Sequence, residues 1–346
     1  MTARWDRQPE RGNGVLVRLM IWLSLNLGWS VAQALLYPVA LYFFLSSRGA
    51  RAASRGYLNR VLGRPATARD VLRHIVAFAG ILLDRLFLLS NRVARFRIAV
   101  QGVPHVTAAL AQSRGCLLLG SHLGSFEALR CFGRGSPVPV KVLMHRARGP
   151  YTDLVETLDP ALAGDIIEIG TPDAMLRVRE SLDRGEMVGI LADRAPGGDK
   201  LARVPFLGSP AAFPTGPLIL AATLGAPVVL FFGIRTGRRC YTICFEPFAD
   251  RITLDRPRRA AQIAGWVQRY AERLEARCRD YPFNWFNFYD FWSGGGAGGE
   301  QEAVQGAEVE QGLESKSPPP ARGGGDFCIC SFLSPSPPSS FSSRAA

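Results

Sequence analysis

Residues that commonly hold metals or form disulfide frameworks are scarce in this chain. Its 346 residues include four histidines and seven cysteines, and no two cysteines form a C-x-x-C pair. The odd number of cysteines argues against a disulfide framework, and the missing pairs argue against a zinc site. Most of the cysteines lie in apolar stretches, where they are expected to pack as small core residues. We therefore expect a reducing compartment, with no metal or bound cofactor.

Motifs of several enzyme classes are also missing. The chain contains no G-x-S-x-G nucleophile elbow, no H-E-x-x-H zinc motif and no Walker phosphate loop. A match to the dinucleotide-binding glycine pattern begins at Gly294, but no strand pattern precedes it and no helix pattern follows it. These absences disfavour serine hydrolases, zinc hydrolases, P-loop enzymes and dinucleotide-binding enzymes.

Lysine is nearly absent, yet arginine makes the chain strongly basic. Only three lysines occur, and the formal net charge is +12. The segment from Ser293 onward holds three basic and six acidic residues, a charge of −3, so residues 1–292 carry +15. A basic body favours a polyanionic partner, such as nucleic acid, an anionic membrane surface or an acidic carrier protein. Because the basic residues are scattered and no nucleic-acid-binding motif occurs, we expect no nucleic acid partner.

One long stretch lacks charge altogether. Residues Leu19–Leu45 cover 27 positions without a charged side chain, enough to cross a bilayer of about 30 Å as a helix. Its four Trp and Tyr residues suit the headgroup region, and arginines flank both of its ends. No small-residue cleavage site closes the stretch before those arginines, so a signal peptide is not expected. The stretch predicts a membrane helix, with a buried core helix or a re-entrant anchor as alternatives.

Short apolar runs alternate with amphipathic runs from about Ile98 to residue 279. This alternation predicts an α/β fold with a mixed sheet covered by helices. Thr171, a good N-cap residue, is expected to begin one of these helices. After Trp292, Gly, Ser and Pro dominate, as is typical of disorder. We expect an N-terminal membrane anchor over 1–50, a globular domain over 51–292 and a low-complexity disordered tail over 293–346.

A histidine and a glutamate follow one buried strand pattern at a chemically useful spacing. The apolar run Leu117–Leu119 leads through Gly120 into His122, and a helix pattern starting near Ser125 contains Glu127. In open α/β sheets, ligands bind at the carboxyl ends of the strands. A carboxylate that accepts a hydrogen bond from one imidazole nitrogen leaves the other free to act as a general base. The alternative is a core histidine bonded to backbone, with Glu127 as an ordinary helix residue.

Several ordered blocks resemble the bacterial lipid A late acyltransferases, the lauroyl and myristoyl transferases, over roughly residues 15–292. The blocks are G-S-H-L-G-S-F-E from Gly120, L-A-D-R from Leu191, V-P-F-L-G from Val204, T-G-P from Thr215 and G-A-P-V from Gly225. The resemblance implies a fold like that of the glycerolipid acyltransferases. It also implies that 51–292 forms the acyltransferase domain.

The resemblance further implies an activity and a set of site residues. The enzyme would move a fatty acyl chain from acyl carrier protein to a hydroxyl of a lipid or glycolipid, at the cytoplasmic side of the bacterial inner membrane. His122 would be the general base and Glu127 its partner, while Arg146 and Asp193 match a family arginine and a family acid near the site. Together with Arg146 and Asp193, Gly124 and Ser125 of the same block as His122 are expected to bind substrate. Backbone amides around Gly124 and Arg146 are candidate donors to the oxyanion.

Other functions stay open at this point. The C-terminal segment Pro282–Trp292 is aromatic, whereas a more basic segment is expected there in lipid A enzymes. It resembles the same segment of acyltransferases of polyene or other specialised lipid pathways. The sequence therefore does not identify the acceptor. This segment could instead form a C-terminal core or a membrane-surface belt. A glycerolipid acyltransferase that uses acyl-CoA is an alternative, because it has a similar H-x4-[DE] motif, but its commoner form is H-x4-D and position 127 here is Glu. A non-catalytic lipid-binding scaffold predicts that His122→Ala leaves function intact.

Overall fold

Three helices begin the described part of the chain. The computed structural model describes Trp22, Asn26 and residues 28–90, 92–112, 115–129, 138–144, 164–194 and 200–293. The helices are α1 (Trp29–Ser46), α2 (Arg48–Leu62) and α3 (Ala68–Leu89). Helix α3 starts at a capping box, in which Thr67 and Asp70 satisfy each other's backbone amides.

Helix α1 packs along α3 with one narrow face. Trp29, Ala32, Leu36 and Ala40 are buried, at the three- and four-residue spacing of one helical face. The opposite face exposes large apolar side chains: Val31, Tyr37, Leu41, Tyr42 and Leu45. Among the described residues, α1 is the one helix long and apolar enough to cross a membrane, with 28% of it buried. The predicted segment 19–45 therefore corresponds in part to an apolar helix, and most of residues 19–27 lie outside the described residues.

A seven-stranded sheet follows. In chain order the strands and helices are β1 (Arg97–Gln101), α4 (Val103–Leu110), β2 (Cys116–Gly120), β3 (Val140–Met144), β4 (Ile166–Glu168), α5 (Ala174–Asp183), β5 (Met187–Leu191), β6 (Leu201–Phe206), β7 (Ser209–Pro214), α6 (Gly216–Leu224), β8 (Val228–Gly237), β9 (Cys240–Ala249) and α7 (Arg259–Asp280). The sheet order is β1-β9-β8-β2-β5-β3-β4. All pairs are parallel except β8 with β9. This confirms the expected α/β class with a mixed sheet.

The central strand β2 is buried at all of its residues. Parallel strands that are covered on both faces have uninterrupted apolar sequences, and the run from Cys116 to Leu119 has this character. Strand β2 lies between β5 and β8, so the loop that follows it can bond to either neighbour. This position decides the arrangement of the site.

Strands β6 and β7 form a separate antiparallel hairpin that the sequence analysis did not predict. The two strands contain three prolines, which usually interrupt strands, and the hairpin was therefore not recognised from the sequence. The turn consists of Leu207 and Gly208, both with positive φ, as in a two-residue hairpin turn of type I′. The buried Leu207 tolerates this conformation while its amide donates to Glu275 Oε2 at 2.5 Å.

The predicted N-cap at Thr171 is wrong. Helix α5 begins at Ala174 with Asp173 at the N-cap position, and the Thr171 hydroxyl donates to the carbonyl of Glu168 at 3.0 Å. A threonine hydroxyl can accept from a backbone amide at a helix cap or donate to a backbone carbonyl in a turn, so its presence does not discriminate between them. Within the alternating pattern, residues 145–163 lie outside the described residues, as does the predicted tail after Ser293.

Candidate active site

His122 and Asp193 meet at the carboxyl ends of two neighbouring parallel strands. Gly120 of β2 and Leu191 of β5 are register partners, and each of the two side chains follows its strand end by two residues. Two residues of extended chain past a shared register position reach the same level of the sheet. The contact between two residues selected from the sequence therefore follows from strand pairing.

The two side chains form a short hydrogen bond. Nδ1 of His122 lies 2.7 Å from Oδ1 of Asp193. The backbone amide of His122 also donates to both carboxylate oxygens, at 3.0 Å each. Because ring and backbone bind the same carboxylate, the orientation of the imidazole is held at two points.

Two further donors complete the surroundings of the Asp193 carboxylate, which is fully buried. Trp285 Nε1 donates to Oδ2 at 2.9 Å and Asn287 Nδ2 at 3.1 Å. Burial opposes ionisation, but the His122 ring, the hydrogen bonds from His122 and the Arg194 charge together hold the pKa of Asp193 well below its ordinary value. Asp193 is therefore an ionised buried carboxylate at neutral pH.

Burial and the nearby Arg194 charge lower the pKa of His122, and the Asp193 charge only partly opposes this. The imidazole is therefore neutral at neutral pH. A carboxylate at Nδ1 can only accept, so the proton of the neutral ring is assigned to Nδ1 and Nε2 carries a lone pair. The side chain keeps 28% of its surface exposed, as a base that meets an external substrate must.

Arg194 ties the carboxyl end of β5 to the C-terminal segment. Its Nε donates to Asn287 Oδ1 and its Nη2 to the carbonyl of Phe286, both at 2.5 Å. Asn287 thus accepts from Arg194 and donates to Asp193, which fixes the orientation of its amide. The L-A-D-R block acts as a unit, in which the aspartate holds the histidine and the arginine holds the surrounding segment.

The aromatic segment 282–292 packs in the core beneath the site. Trp285, Phe286 and Phe291 are buried. The Phe286 amide donates to the His122 carbonyl at 3.0 Å, and Leu123 and Trp285 form an antiparallel bridge. Of the alternatives that the sequence left for this segment, the burial of these residues agrees with a C-terminal core, but the contact with His122 was not predicted. The signal that could have found it was the pair of asparagines among the aromatic residues, since buried amides need partners.

Gly124 allows the loop after β2 to approach β8 at van der Waals distance. Its φ is 80°, and an added Cβ would lie 2.0 Å from the carbonyl oxygen of Gly233. The Gly124 amide donates to the carbonyl of Asn284 at 2.8 Å, and the Ser125 amide to that of Gly233 at 2.7 Å. The expectation that the Gly124 amide binds the oxyanion is therefore corrected, because this donor is used inside the protein.

Glu127 lies on the other side of the loop from Asp193. Its Oε1 is 2.5 Å from Nε of Arg85 on α3, and its Oε2 accepts from the Ser125 hydroxyl at 3.2 Å. Within the described residues, no hydrogen bond joins it to His122. From Gly124 onward the chain bonds to β8 and runs away from β5, whereas His122 bonds on the β5 side. The expectation that Glu127 holds the ring is thus corrected: the structure gives that position to Asp193.

The remaining sequence candidates add little to this geometry. Arg146 lies outside the described residues. Among the residues the structure does describe, no cluster of three or more His, Cys, Asp or Glu could hold a metal ion. The site consists of a neutral, partly exposed imidazole on an ionised carboxylate, an arrangement suited to general-base catalysis.

Comparison with known proteins gives a family for the whole described fold. No curated protein matches the chain. The model of one family does match, over residues 7–293, and its description is bacterial lipid A biosynthesis acyltransferase. The match covers both strand ends that carry His122 and Asp193, and also the aromatic segment beneath them. The chain therefore belongs to the bacterial lipid A biosynthesis acyltransferases.

Proposed function

We propose that this acyltransferase moves a fatty acyl chain from acyl carrier protein to a hydroxyl of a lipid or glycolipid acceptor, with His122 as the general base. The observation that carries the proposal is the 2.7 Å bond between Nδ1 of His122 and the buried carboxylate of Asp193. Asp193 keeps the lone pair of Nε2 available and stabilises the imidazolium that forms during the reaction.

The proposed reaction needs one base and no redox partner. Nε2 of His122 takes the proton of the acceptor hydroxyl while the hydroxyl oxygen attacks the thioester carbonyl. The tetrahedral intermediate carries its charge on the former carbonyl oxygen and collapses by breaking the carbon–sulfur bond. His122 then returns the proton to the departing thiolate, so the products are an ester and the free thiol of the carrier.

The other sequence candidates have supporting roles in this proposal. Glu127 acts through the loop, because its contacts to Arg85 and Ser125 hold the start of the helical residues 126–129 beside the site. Gly124 lets that loop approach β8. Arg146, which the family resemblance implies to lie near the site, is proposed to bind substrate and to supply a hydrogen-bond donor to the oxyanion.

The choice of acyl carrier protein as donor is supported by charge. Residues 1–292 carry a formal charge of +15, obtained by removing the −3 of the segment from Ser293 from the total of +12. An acidic carrier would be attracted to such a body over about one Debye length, roughly 8–10 Å at physiological salt. Acyl-CoA is also anionic, so charge alone does not separate the two donors.

The proposed site of action is the cytoplasmic face of the bacterial inner membrane. Helix α1 supports membrane attachment, because the large apolar side chains opposite its packed face are exposed. Trp29 at its start is anchored by an indole bond of 2.7 Å to the buried Asp84, and the guanidinium groups of Arg238 and Arg239 lie about 5 Å from its ring. We expect these exposed arginines at the start of α1 to bind lipid phosphates.

The test is transfer from radiolabelled acyl carrier protein to membrane lipids. We expect His122→Ala to lose about a hundredfold or more of the activity in folded protein. His105→Ala, at an exposed histidine of α4, is the matched control and should keep wild-type activity. Full activity of His122→Ala would overturn the assignment. A parallel assay with acyl-CoA decides the donor, and stronger transfer from it would favour the glycerolipid-type alternative.

A further inference from the structure

A second buried histidine, His74, lies behind the site and has no part in the proposed chemistry. It belongs to α3 and is fully buried. Its Nδ1 lies 2.9 Å from the hydroxyl oxygen of Ser54, and its Nε2 lies 2.9 Å from the carbonyl oxygen of Trp285. A carbonyl can only accept, so Nε2 carries the proton and Nδ1 accepts from Ser54. Both polar ends of the ring are therefore used, in one tautomer.

The ring cannot turn away from this position. It stacks on Phe286 at 5.5 Å between centroids, with 19° between the planes. Phe288 and Tyr57 close its other sides, at 4.9 Å and 5.5 Å. Burial lowers the pKa of His74 to about 4, so the ring stays neutral throughout the range in which the enzyme would work.

The Trp285–Phe286 peptide group joins His74 to the site. Its carbonyl accepts from His74 Nε2, and its N–H donates to the carbonyl of His122 at 3.0 Å. These two groups belong to a single planar peptide unit and point in opposite directions across it. His74 therefore binds the carbonyl of this rigid peptide group, and the N–H of the same group binds the backbone of His122.

The same residue carries the indole that holds Asp193. Nε1 of Trp285 donates to Asp193 Oδ2 at 2.9 Å, so displacement of the Trp285 backbone would also displace this donor. One peptide and one indole thus connect His74 to both members of the proposed catalytic pair. An error of about 1 Å in such a site can cost about a hundredfold in rate.

We propose that His74 is a positioning residue, which acts through the Trp285–Phe286 peptide to align His122 with Asp193. The inference rests on the proposed role of His122 as the base. His74 does not touch substrate. The position requires a neutral hydrogen-bond donor of fixed direction. The Ser54 hydroxyl fixes that direction by donating to Nδ1 of the ring.

The groups around His122 and His74 determine how a misaligned Asp193 would change the pH dependence of the rate. Asp193 and Arg194 are the charged groups that face His122. Around His74, α2 contributes Ser54 and Tyr57, and the C-terminal segment contributes Phe286 and Phe288, all neutral at neutral pH. If Asp193 were displaced from His122, its charge would raise the pKa of His122 less. The acid limb of the pH–rate profile, where activity falls because His122 becomes protonated, would then move to lower pH.

The experiment compares His74→Phe, which keeps a ring but no donor, with His74→Gln, which keeps a donor. We expect His74→Phe to lower kcat about tenfold or more, with the KM of the acyl donor within about twofold. Its acid limb should move to lower pH, and the indole N–H resonance of Trp285 should shift. His74→Gln should recover part of the kcat. If His74→Phe does not fold, Ser54→Ala provides the same readouts with a smaller change.

The control is Val71→Ala, which removes buried volume from the same helix without removing a hydrogen bond. It should destabilise the protein yet leave the acid limb and the Trp285 resonance unchanged. The inference is overturned if folded His74→Phe, or Ser54→Ala in its place, keeps wild-type kcat, acid limb and Trp285 resonance. His122→Ala separates the two proposals: if that variant is active, the proposed function fails, whatever the His74 variants do.

Discussion

Trp285 donates its indole N–H to Asp193 Oδ2 at 2.9 Å, while Oδ1 of the same carboxylate accepts from the ring of His122 at 2.7 Å. The acidic partner of the base is therefore held by a residue 92 positions later in the chain. Removing one donor from a buried carboxylate costs about 1–3 kcal/mol and changes its pKa. This arrangement makes the following predictions measurable.

The rate should rise with pH through a limb below the ordinary histidine pKa of about 6.5. The base form of His122 is the active one, and burial with the Arg194 charge lowers its pKa. Activity should therefore be lost only as the pH falls well below neutrality. The pH profile of kcat/KM for acyl transfer measures this, and a limb above pH 7 would contradict it.

Asp193→Asn should reduce kcat more than Glu127→Gln does. The first change removes the charge at Nδ1 and allows the wrong tautomer, for which losses of about a thousandfold or more are expected. The second change leaves an acceptor for Ser125 but removes the charge that faces Arg85, which mainly affects stability. Kinetics and thermal melting of both variants test this. The opposite order of kcat losses would return the orienting role to Glu127.

Gly124→Ala should prevent folding or abolish activity, whereas Gly185→Ala should not. Both glycines have φ near 80°, so both substitutions impose the same backbone strain of about 1 kcal/mol. Only at Gly124 would the new Cβ meet a backbone oxygen, that of Gly233, at 2.0 Å. Soluble yield, melting temperature and transfer activity separate the clash from the strain. Equal effects in the two variants would mean that the close approach to β8 is unimportant.

Leu45→Asp should weaken binding to vesicles about tenfold or more, since burying a leucine contributes about 1.5–3 kcal/mol. Leu45 is 65% exposed on the outer face of α1. Leu176→Asp is the matched control, because Leu176 is 59% exposed on α5, away from the apolar face of α1. Sedimentation with vesicles containing phosphatidylglycerol measures the effect. An equal loss in both variants would argue against α1 as the attachment surface.

The protein should lose stability as the pH falls from about 6.5 towards 4, partly through His74. Its folded pKa is about 4, below the value of an unfolded histidine, so the unfolded chain binds the extra proton in this window. Stability is therefore present above the unfolded pKa and decreases on acidification. Denaturant unfolding at several pH values should show a flatter dependence in His74→Gln. An unchanged slope would mean that His74 is not held neutral.

The sequence predicted the alternation of strands and helices from its short apolar runs, and the run Leu117–Leu119 lies in strand β2. It missed the β6–β7 hairpin, whose prolines and buried Leu207 turn do not follow the usual pattern. It also misplaced the start of α5, because Thr171 bonds to a turn. Local patterns indicate burial and propensity, and they do not indicate whether a side chain caps a helix or bonds to a turn.

The candidate site was likewise predicted only in part from the sequence. The sequence pattern selected His122 and Glu127, since a histidine and a carboxylate after a buried strand suit acid–base chemistry, and the family resemblance added Asp193. Which carboxylate meets the ring was decided by the tertiary structure. Strand β2 lies between β5 and β8; His122 is bonded on the β5 side, and Gly124 turns the chain towards β8. Proximity along the chain favoured Glu127, whereas strand order, a property of the whole sheet, brought Asp193 across 71 residues to Nδ1.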